Sequence, residues 1–500
     1  MSIHATRNEL KYAPGVGSRI STDAKPLSAL EQVTLIHVGV FALAATWAFG
    51  GNADWVQVPL AWWGSIGALI TLTAIQDRVV HRRGSLRILK WFWPIAAFNA
   101  LVCAGTLNPS FREMAFDTDV MLVNVGARAG WPSSARPAAA LHRLWVFDAT
   151  WITCFNLAFA IRQRRALRGL LLVLVANGLA LAIFGTLQKF SGAKGLFFDA
   201  VASPQRYFFA TFIYHNHWGA FMVLMIAMCL GLTWHYARRI KSRDMFHSPV
   251  FAAVVVILLL AATVPLSTSR SCSVLVALLL AAAFLNWIFE LIRKRRHFHE
   301  SIALPVAGAI AAALLLLAGV WFVARESIIS RTAVTRNQIA DMQARGSVGA
   351  RSILYADTWQ MAKDKLWFGW GMGSYPHVFT HYNSQTSVDR LPVFYHDAHS
   401  DWLQALAEHG LVGTLLLGAM AIVPLLGIQR RYLTSAIPRY VLTGCGLLVL
   451  YAWIEFPFGN MAVVLFWWLG FFCSVQYARL HEHESSVESK ATPSAGAALT

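Results

Sequence analysis

The 500-residue sequence predicts an all-α integral membrane protein of about twelve transmembrane helices, with one large polar loop between spans nine and ten. Three observations carry that prediction. Hydrophobic residues make up 57% of the chain and charged residues 13%, and the mean hydropathy is +0.51, outside the range of a soluble domain. Apolar runs recur at lengths of roughly 17–25 residues, enough to cross a hydrocarbon core. Basic residues gather at 78–90, 162–168, 238–243, 293–296 and 430–439, which are alternate connections between those runs.

Residues 1–29 are polar and lack the apolar core of a cleaved signal peptide, so they read as a cytoplasmic segment. Spans one to nine follow within 30–323, at 30–51, 57–76, 89–107, 144–161, 169–187, 212–235, 249–266, 272–291 and 302–323. Spans ten to twelve follow within 410–477, at 410–428, 440–457 and 459–477, the last two parted only by the turn around Pro457 and Gly459. Residues 478–500 are polar and rich in Ser and Ala, which predicts a disordered cytoplasmic tail. With these spans, about 26 of the 42 Lys and Arg fall on one side of the membrane. That side is the expected cytoplasm, and it holds both termini. The net charge of +17 is thereby explained by topology, and no nucleic-acid partner is expected. The six cysteines lie in or at spans with no disulfide or metal spacing, and most of the twenty tryptophans sit near span ends as an interfacial belt would have them.

The informative exception to the apolar pattern is the loop 324–409, too long to be a mere connection. Within it, 351–365 places Leu354, Thr358 and Met361 on one helical face. Gly369, Gly371 and Gly373 then end that helix, in the manner of glycines serving positive-φ turns. Another helix starts near Asp401, with Ser400 or Asp401 as cap and Gln404 completing a capping box.

His399 immediately precedes that start. Helix-end amide dipoles favour a neutral imidazole there, the form that accepts a proton as general base. Arg206, Arg270 and Arg351 fall on the same side of the membrane as His399. Arg270 has no acidic neighbour in sequence, and a guanidinium fork matches phosphate oxygens. His215, Asn216 and His217 open the sixth span; with His396, His399 and Asp401 they compose a possible metal set, against which stands their separation in sequence, and no metal is expected. The remaining supporting candidate, Glu455, lies at a span edge and would partner one of the arginines or face water.

Four stretches together resemble the O-antigen ligase and O-antigen polymerase superfamily of bacterial membrane glycosyltransferases. They are 206–219, beginning RYFFATF and containing HNHWG; LSTSR, ending at Arg270; 351–373, ending FGWGMG; and AHSDWLQALAEHGLVG, which contains His399. Ser400 stands where that family usually has Asn, and Trp402 where it often has Tyr. The resemblance implies an enzyme of the inner membrane that works on its periplasmic face without a cofactor. The donor it implies is a glycan linked to undecaprenyl diphosphate, and the acceptor is a hydroxyl of lipid A–core or of another glycan. It puts His399 in the place of the catalytic base and Arg206, Arg270 and Arg351 in the places of arginines that hold the diphosphate. Displacement would be direct and inverting. A polymerase of the same superfamily is the near alternative. A transporter of lipid-linked glycans is the alternative from another class; it would carry ionisable groups inside spans and paired half-repeats, neither evident in the sequence.

Overall fold

The computed structural model describes residues 26–80, 86–116, 119–237, 249–308, 350–385 and 394–491, with isolated helical positions between 310 and 336. The protein is an all-α membrane protein. Nine helical stretches among the described residues are long and apolar enough to cross a bilayer. Helix α1 (Ala29–Trp47) begins with the capping box of Ser28 and Glu31. Helices α2 (Asp54–Ser65) and α3 (Gly67–Val80) together make one crossing. Helix α4 (Trp93–Thr106) is next, followed by α5 (Pro137–Ala160), α6 (Arg164–Phe190), α7 (His215–Ala237), α8 (Pro249–Leu266) and α9 (Arg270–His297). The expected fourth and eleventh spans are the 24-residue α5 and a shorter apolar helix, Ala436–Tyr451. The expected ninth span, 302–323, falls largely outside the described residues.

The apolar core is continuous and centred on α7. Every residue of α7 from Asn216 to Thr233 is buried, so it carries no polar face, as a helix ringed by others must. Ionisable side chains do occur within the spans. Asp148 accepts from the Asn99 amide at 3.0 Å, and a His37 ring nitrogen lies 2.8 Å from the Trp63 carbonyl. Each has a polar partner, as a group at membrane depth requires.

Two features depart from the sequence reading. Strands β1 (Phe111–Phe116) and β2 (Asp119–Asn124) form an antiparallel hairpin between α4 and α5, with Phe111 opposite Asn124 and Met114 opposite Met121. The last helix, Met461–Ala491, continues well past 478, where a disordered tail was expected. Glu484 there pairs with Arg164, and His481 packs its ring on Tyr432, so the polar turns gain partners at the end of the bundle.

The helix of the large loop is α10 (Ala350–Asp364), and its predicted face is the buried one: Leu354, Thr358 and Met361 lie inside a second small core with Tyr375, Phe379 and Ala407. It packs against α11 (Asp401–Leu425), whose course breaks at Gly410 (φ +63°, ψ −172°). The break frees backbone groups on both sides, and the glycine-rich loop satisfies them. The amides of Leu411 and Val412 donate to the carbonyls of Leu366 and Trp367 (2.7 and 3.1 Å). In return the amides of Trp370 and Gly371 donate to the carbonyls of Ala407 and Glu408 (2.9 and 2.8 Å). The Glu408 carboxylate accepts from the amides of Gly373 and Tyr375 at 2.8 and 3.0 Å. Gly369 lies so close that a Cβ would collide with the Glu408 carbonyl, and its φ is +70°. The Gly-x-Gly-x-Gly and Glu-x-Gly patterns are therefore one joint: a broken helix stitched to a loop, which pairs the amides of Leu411 and Val412 and the carbonyls of Ala407 and Glu408.

Candidate functional site at the His399 end of the bundle

The site forms where four chain segments meet at one end of the bundle: the start of α7, the start of α9, the first turn of α10, and the stretch leading into α11. The turn between the helix Ala436–Tyr451 and the helix Met461–Ala491 closes it. His399 occupies a left-handed backbone conformation (φ +51°), which a non-glycine residue adopts only when its surroundings impose it. Those surroundings are visible. Its carbonyl accepts from the Tyr355 hydroxyl at 2.9 Å. The next residue, Ser400, is the N-cap of α11, and its hydroxyl accepts from the Leu403 amide at 3.4 Å. Gln404, one position past the capping-box site, accepts from the Ala398 amide at 3.0 Å, two residues before the cap, so the expected capping box is not the one formed.

Asp401 is the first residue of α11 rather than its cap. Its carboxylate accepts from the Phe458 amide at 2.9 Å, and its own amide donates to the Glu455 carbonyl at 3.2 Å. Asp401 thus ties the closing turn to the helix start and sets Glu455 in front of His399.

Glu455 is the hub. Its side chain is 2% exposed, and its carboxylate has three neighbours. Oε1 accepts from the Asn216 amide at 3.1 Å and from the Arg351 guanidinium, while Oε2 lies 3.5 Å from His399 Nδ1. That last approach is longer than a formed hydrogen bond, yet both atoms are buried and neither has another partner. Burial raises the Glu455 carboxyl, but the facing imidazole and the Arg351 guanidinium outweigh it and hold the group below the usual glutamate range. His399 keeps 28% of its side chain exposed; since Nδ1 is buried, that exposure belongs to the rest of the ring. The ring stands edge-on to Phe456, centroids 4.7 Å apart.

Asn216 links the first two sequence patterns to this hub. Besides Glu455, its Nδ2 donates to the Tyr214 hydroxyl at 2.9 Å, and its Oδ1 accepts from the Ser269 hydroxyl at 2.6 Å. Ser269 is the N-cap of α9, so Arg270 opens that helix beside the site. Thr268, just before, has φ +72°, a costly conformation for a β-branched residue. Gly219 lets the two helices approach: a Cβ there would meet Cys272 Cβ at 2.5 Å.

The structure therefore brings together His399, Glu455, Arg351, Asn216 and the Ser269–Arg270 corner. A ring nitrogen of His217 lies 3.1 Å from the Phe456 carbonyl, holding the same turn from below, and His215 packs its ring on Tyr214 and Tyr207. His396 is exposed and stacks edge-on to Phe394, away from the hub. Arg206 is exposed beside Tyr207, at a neighbouring cleft. Among the described residues no three His, Cys, Asp or Glu side chains converge as metal ligands would. Ser269, Tyr214, Tyr355 and Phe456 are members the sequence reading did not single out. Tyr214, Ser269 and Phe456 are adjacent in sequence to candidates that it did.

Residues 253–418 match the family model described as O-antigen ligase. The match contains Arg270, Arg351 and His399, while Arg206, Asn216 and Glu455 lie outside it. It agrees with the resemblance carried by the motifs and supports the O-antigen ligase and polymerase superfamily, whose members are glycosyltransferase-like membrane enzymes acting on lipid-linked glycans. No curated protein matches the chain.

Proposed function

We propose, from the O-antigen ligase match and the geometry around Glu455, that this protein is an O-antigen ligase-like glycosyltransferase of the bacterial inner membrane, with its site on the periplasmic face. Its donor is a glycan linked to undecaprenyl diphosphate, and its acceptor is a hydroxyl of lipid A–core. The observation that carries the reading is the His399–Glu455 pair: an imidazole whose inner nitrogen faces a buried, ionised carboxylate. With its proton on Nδ1, directed at Glu455, His399 presents Nε2 as the base. Nε2 takes the proton of the acceptor hydroxyl as that oxygen attacks the anomeric carbon. The bond from that carbon to the diphosphate oxygen breaks, the electron pair leaves with the diphosphate, and the configuration inverts. A hydroxyl is a poor nucleophile without such a base, and the departing diphosphate, which gains a negative charge as the bond breaks, needs cations nearby. Arg351, paired with Glu455 and half exposed, and Arg270, next to the Ser269 cap, are the cations we assign to that role, with Arg206 beside Tyr207 as a third.

The test is the surface-glycan profile of a deletion strain, resolved by size and complemented with wild type or His399→Ala. Long chains that stay on the lipid carrier and never reach lipid A–core support the ligase reading. Single repeats alone would make the protein a polymerase. Rescue by His399→Ala as fully as by wild type would remove His399 from the chemistry.

A further inference from the structure

One line of α5 reaches the outside of the bundle, where Leu141 is 47% exposed, and that line carries a carboxyl group. Asp148 stands midway along α5, about 17 Å from either end at the rise of an α-helix, deep within the hydrocarbon. Its side chain is partly exposed, in a lengthwise groove whose floor is α5 and whose walls are α2 and α4. We propose that this groove is a self-association surface: a second copy of the chain docks there, so that Asp148 and Asn99 of the two copies pair across a two-fold axis along the membrane normal. The inference goes beyond the glycosyltransferase reading and does not depend on it.

The polar pair carries the argument. Asp148 Oδ1 accepts from the Asn99 amide at 3.0 Å, and that amide also donates to the Ile95 carbonyl at 3.0 Å. The second carboxyl oxygen of Asp148 has no hydrogen bond among the described residues, and no cation among them pairs with it. The carboxamide oxygen of Asn99 likewise receives no donor among them. Polar atoms that face hydrocarbon without a partner are costly, and ionisable groups within spans are found turned toward a neighbour. Acid and amide together offer donors and acceptors, so the pair is complementary to a copy of itself. Two copies sit in the membrane the same way up, so a two-fold axis relating them follows the membrane normal, and like depth meets like depth. Each Asp148 then stands level with Asn99 of the other copy.

The walls permit that approach. Ala96, Ala100 and Ala104 stand one turn apart on the outward side of α4, all exposed, and small residues let two helix backbones come close. α2 is held to the other side: it packs on α5 at Gly64, where a Cβ would meet the Ala149 carbonyl at 2.8 Å. The chain's own alternative occupant is the span expected at 302–323, which lies largely outside the described residues. The only side-chain hydrogen-bond donor in that stretch is the indole of Trp321, close to its end, so a copy of the acid–amide pair is the better match at mid-membrane depth.

Cys103 lies one turn from Asn99 on α4 and is exposed, whereas the other five cysteines are buried. The test is cross-linking of the full-length protein in native membranes with a membrane-permeant bismaleimide, read by gel and by mass spectrometry of the linked peptides. Light scattering on the purified protein gives its mass in parallel. A dimer linked through Cys103 of both copies is expected, and Cys103→Ser should remove the link. Ala100→Phe points a ring outward and leaves the Asp148–Asn99 bond untouched; it should cut the linked dimer at least about fivefold at unchanged Tm, as loss of a close helix–helix contact implies. Asp148→Asn keeps a donor and an acceptor and should retain the dimer, while Asp148→Leu should lose it. A monomeric wild-type protein without a Cys103 link overturns the proposal, and so does wild-type linking by Ala100→Phe. A Cys103 link to a different protein, or an intramolecular link in an Ala312→Cys variant that forms no dimer, gives the groove to that occupant and equally overturns it.

Discussion

Replacing Glu455 by Gln changes one oxygen to an amide and tests the whole hub. Oε1 accepts two donors, from Asn216 and Arg351, so the glutamine oxygen must take that place. The glutamine NH₂ then faces His399 Nδ1, where the carboxylate oxygen had been. Nδ1 must become an acceptor, which moves the ring proton to Nε2, the nitrogen that has to receive the acceptor's proton. The variant is therefore held in the wrong tautomer, and the predicted loss in kcat is about 10²–10⁴-fold, the range for removing a positioned base. KM should change little. The stability cost is smaller: Glu455 is buried but Arg351 is half exposed, so the lost ion pair is worth about 1–2 kcal/mol, between the surface and buried limits. The assay is transfer from a synthetic lipid-linked donor by purified protein, with thermal unfolding measured in parallel. A correctly folded Gln variant with kcat within about threefold of wild type would refute the tautomer argument. A raised KM at unchanged kcat would move Glu455 from positioning the base to binding substrate. The pH dependence gives a second check. Glu455 is held below its ordinary value of 4.5, so its stabilisation is fully present above that pH and is lost as pH falls through the lower folded value. The gap in Tm between wild type and Glu455→Gln should be constant near neutrality and close under acid; a gap that widens on acidification contradicts the assigned charge.

Three further outcomes are expected. Arg270→Lys should lose most transfer activity while the protein remains in the membrane, because a point charge does not reproduce the guanidinium fork; full activity would take Arg270 out of leaving-group stabilisation. Gly369→Ala should destabilise by about 2–4 kcal/mol, since its φ is +70° and a Cβ meets the Glu408 carbonyl, and the loss should appear as a lowered Tm even without substrate. Lys365 lies beneath the β-hairpin, its ammonium 2.5 and 2.6 Å from the Ser110 and Ser133 hydroxyls, and burial pushes it down to about 8. Because its charged form is the disfavoured one in the fold, its contribution should make stability rise from about pH 8 toward 10.5, and Lys365→Met should abolish that rise.

Much of this was legible in the sequence, and for physical reasons. Spans are written in unbroken apolar runs, so the membrane fold could be read. The buried face of α10 was written in the spacing of Leu354, Thr358 and Met361. His399 could be placed because a helix start has its own local signature in Ser400 and Gln404. What could not be read were contacts between residues far apart in the chain. Glu455 sits 104 residues from Arg351 and 239 from Asn216, and no local pattern encodes those pairings. The hairpin at 111–124 was missed because its strands are short and joined without a glycine turn signal. The helical tail beyond 478 was missed because its stability comes from Arg164 and Tyr432, not from its own composition.

The motif around His399 divides into two kinds of residue, and the division decides how substitutions should be read. Gly369, Gly371, Gly373, Glu408 and Gly410 maintain a helix break, and their hydrogen bonds join the glycine loop to the helix rather than to His399. Yet the break is what lets the first turns of α11 leave the line of the span and approach the turn bearing Glu455. A straight helix from 401 to 425 would need Leu411 and Val412 to bond within it, and the amides of Trp370 and Gly371 would then lose their acceptors. Substitutions at the glycines should therefore lower stability and activity together, whereas those at His399 and Glu455 should lower activity far more than stability. A variant of Glu408 that kept its Tm and lost kcat would contradict this division, because its carboxylate is occupied by the amides of Gly373 and Tyr375 and has no remaining route to the chemistry except through the fold.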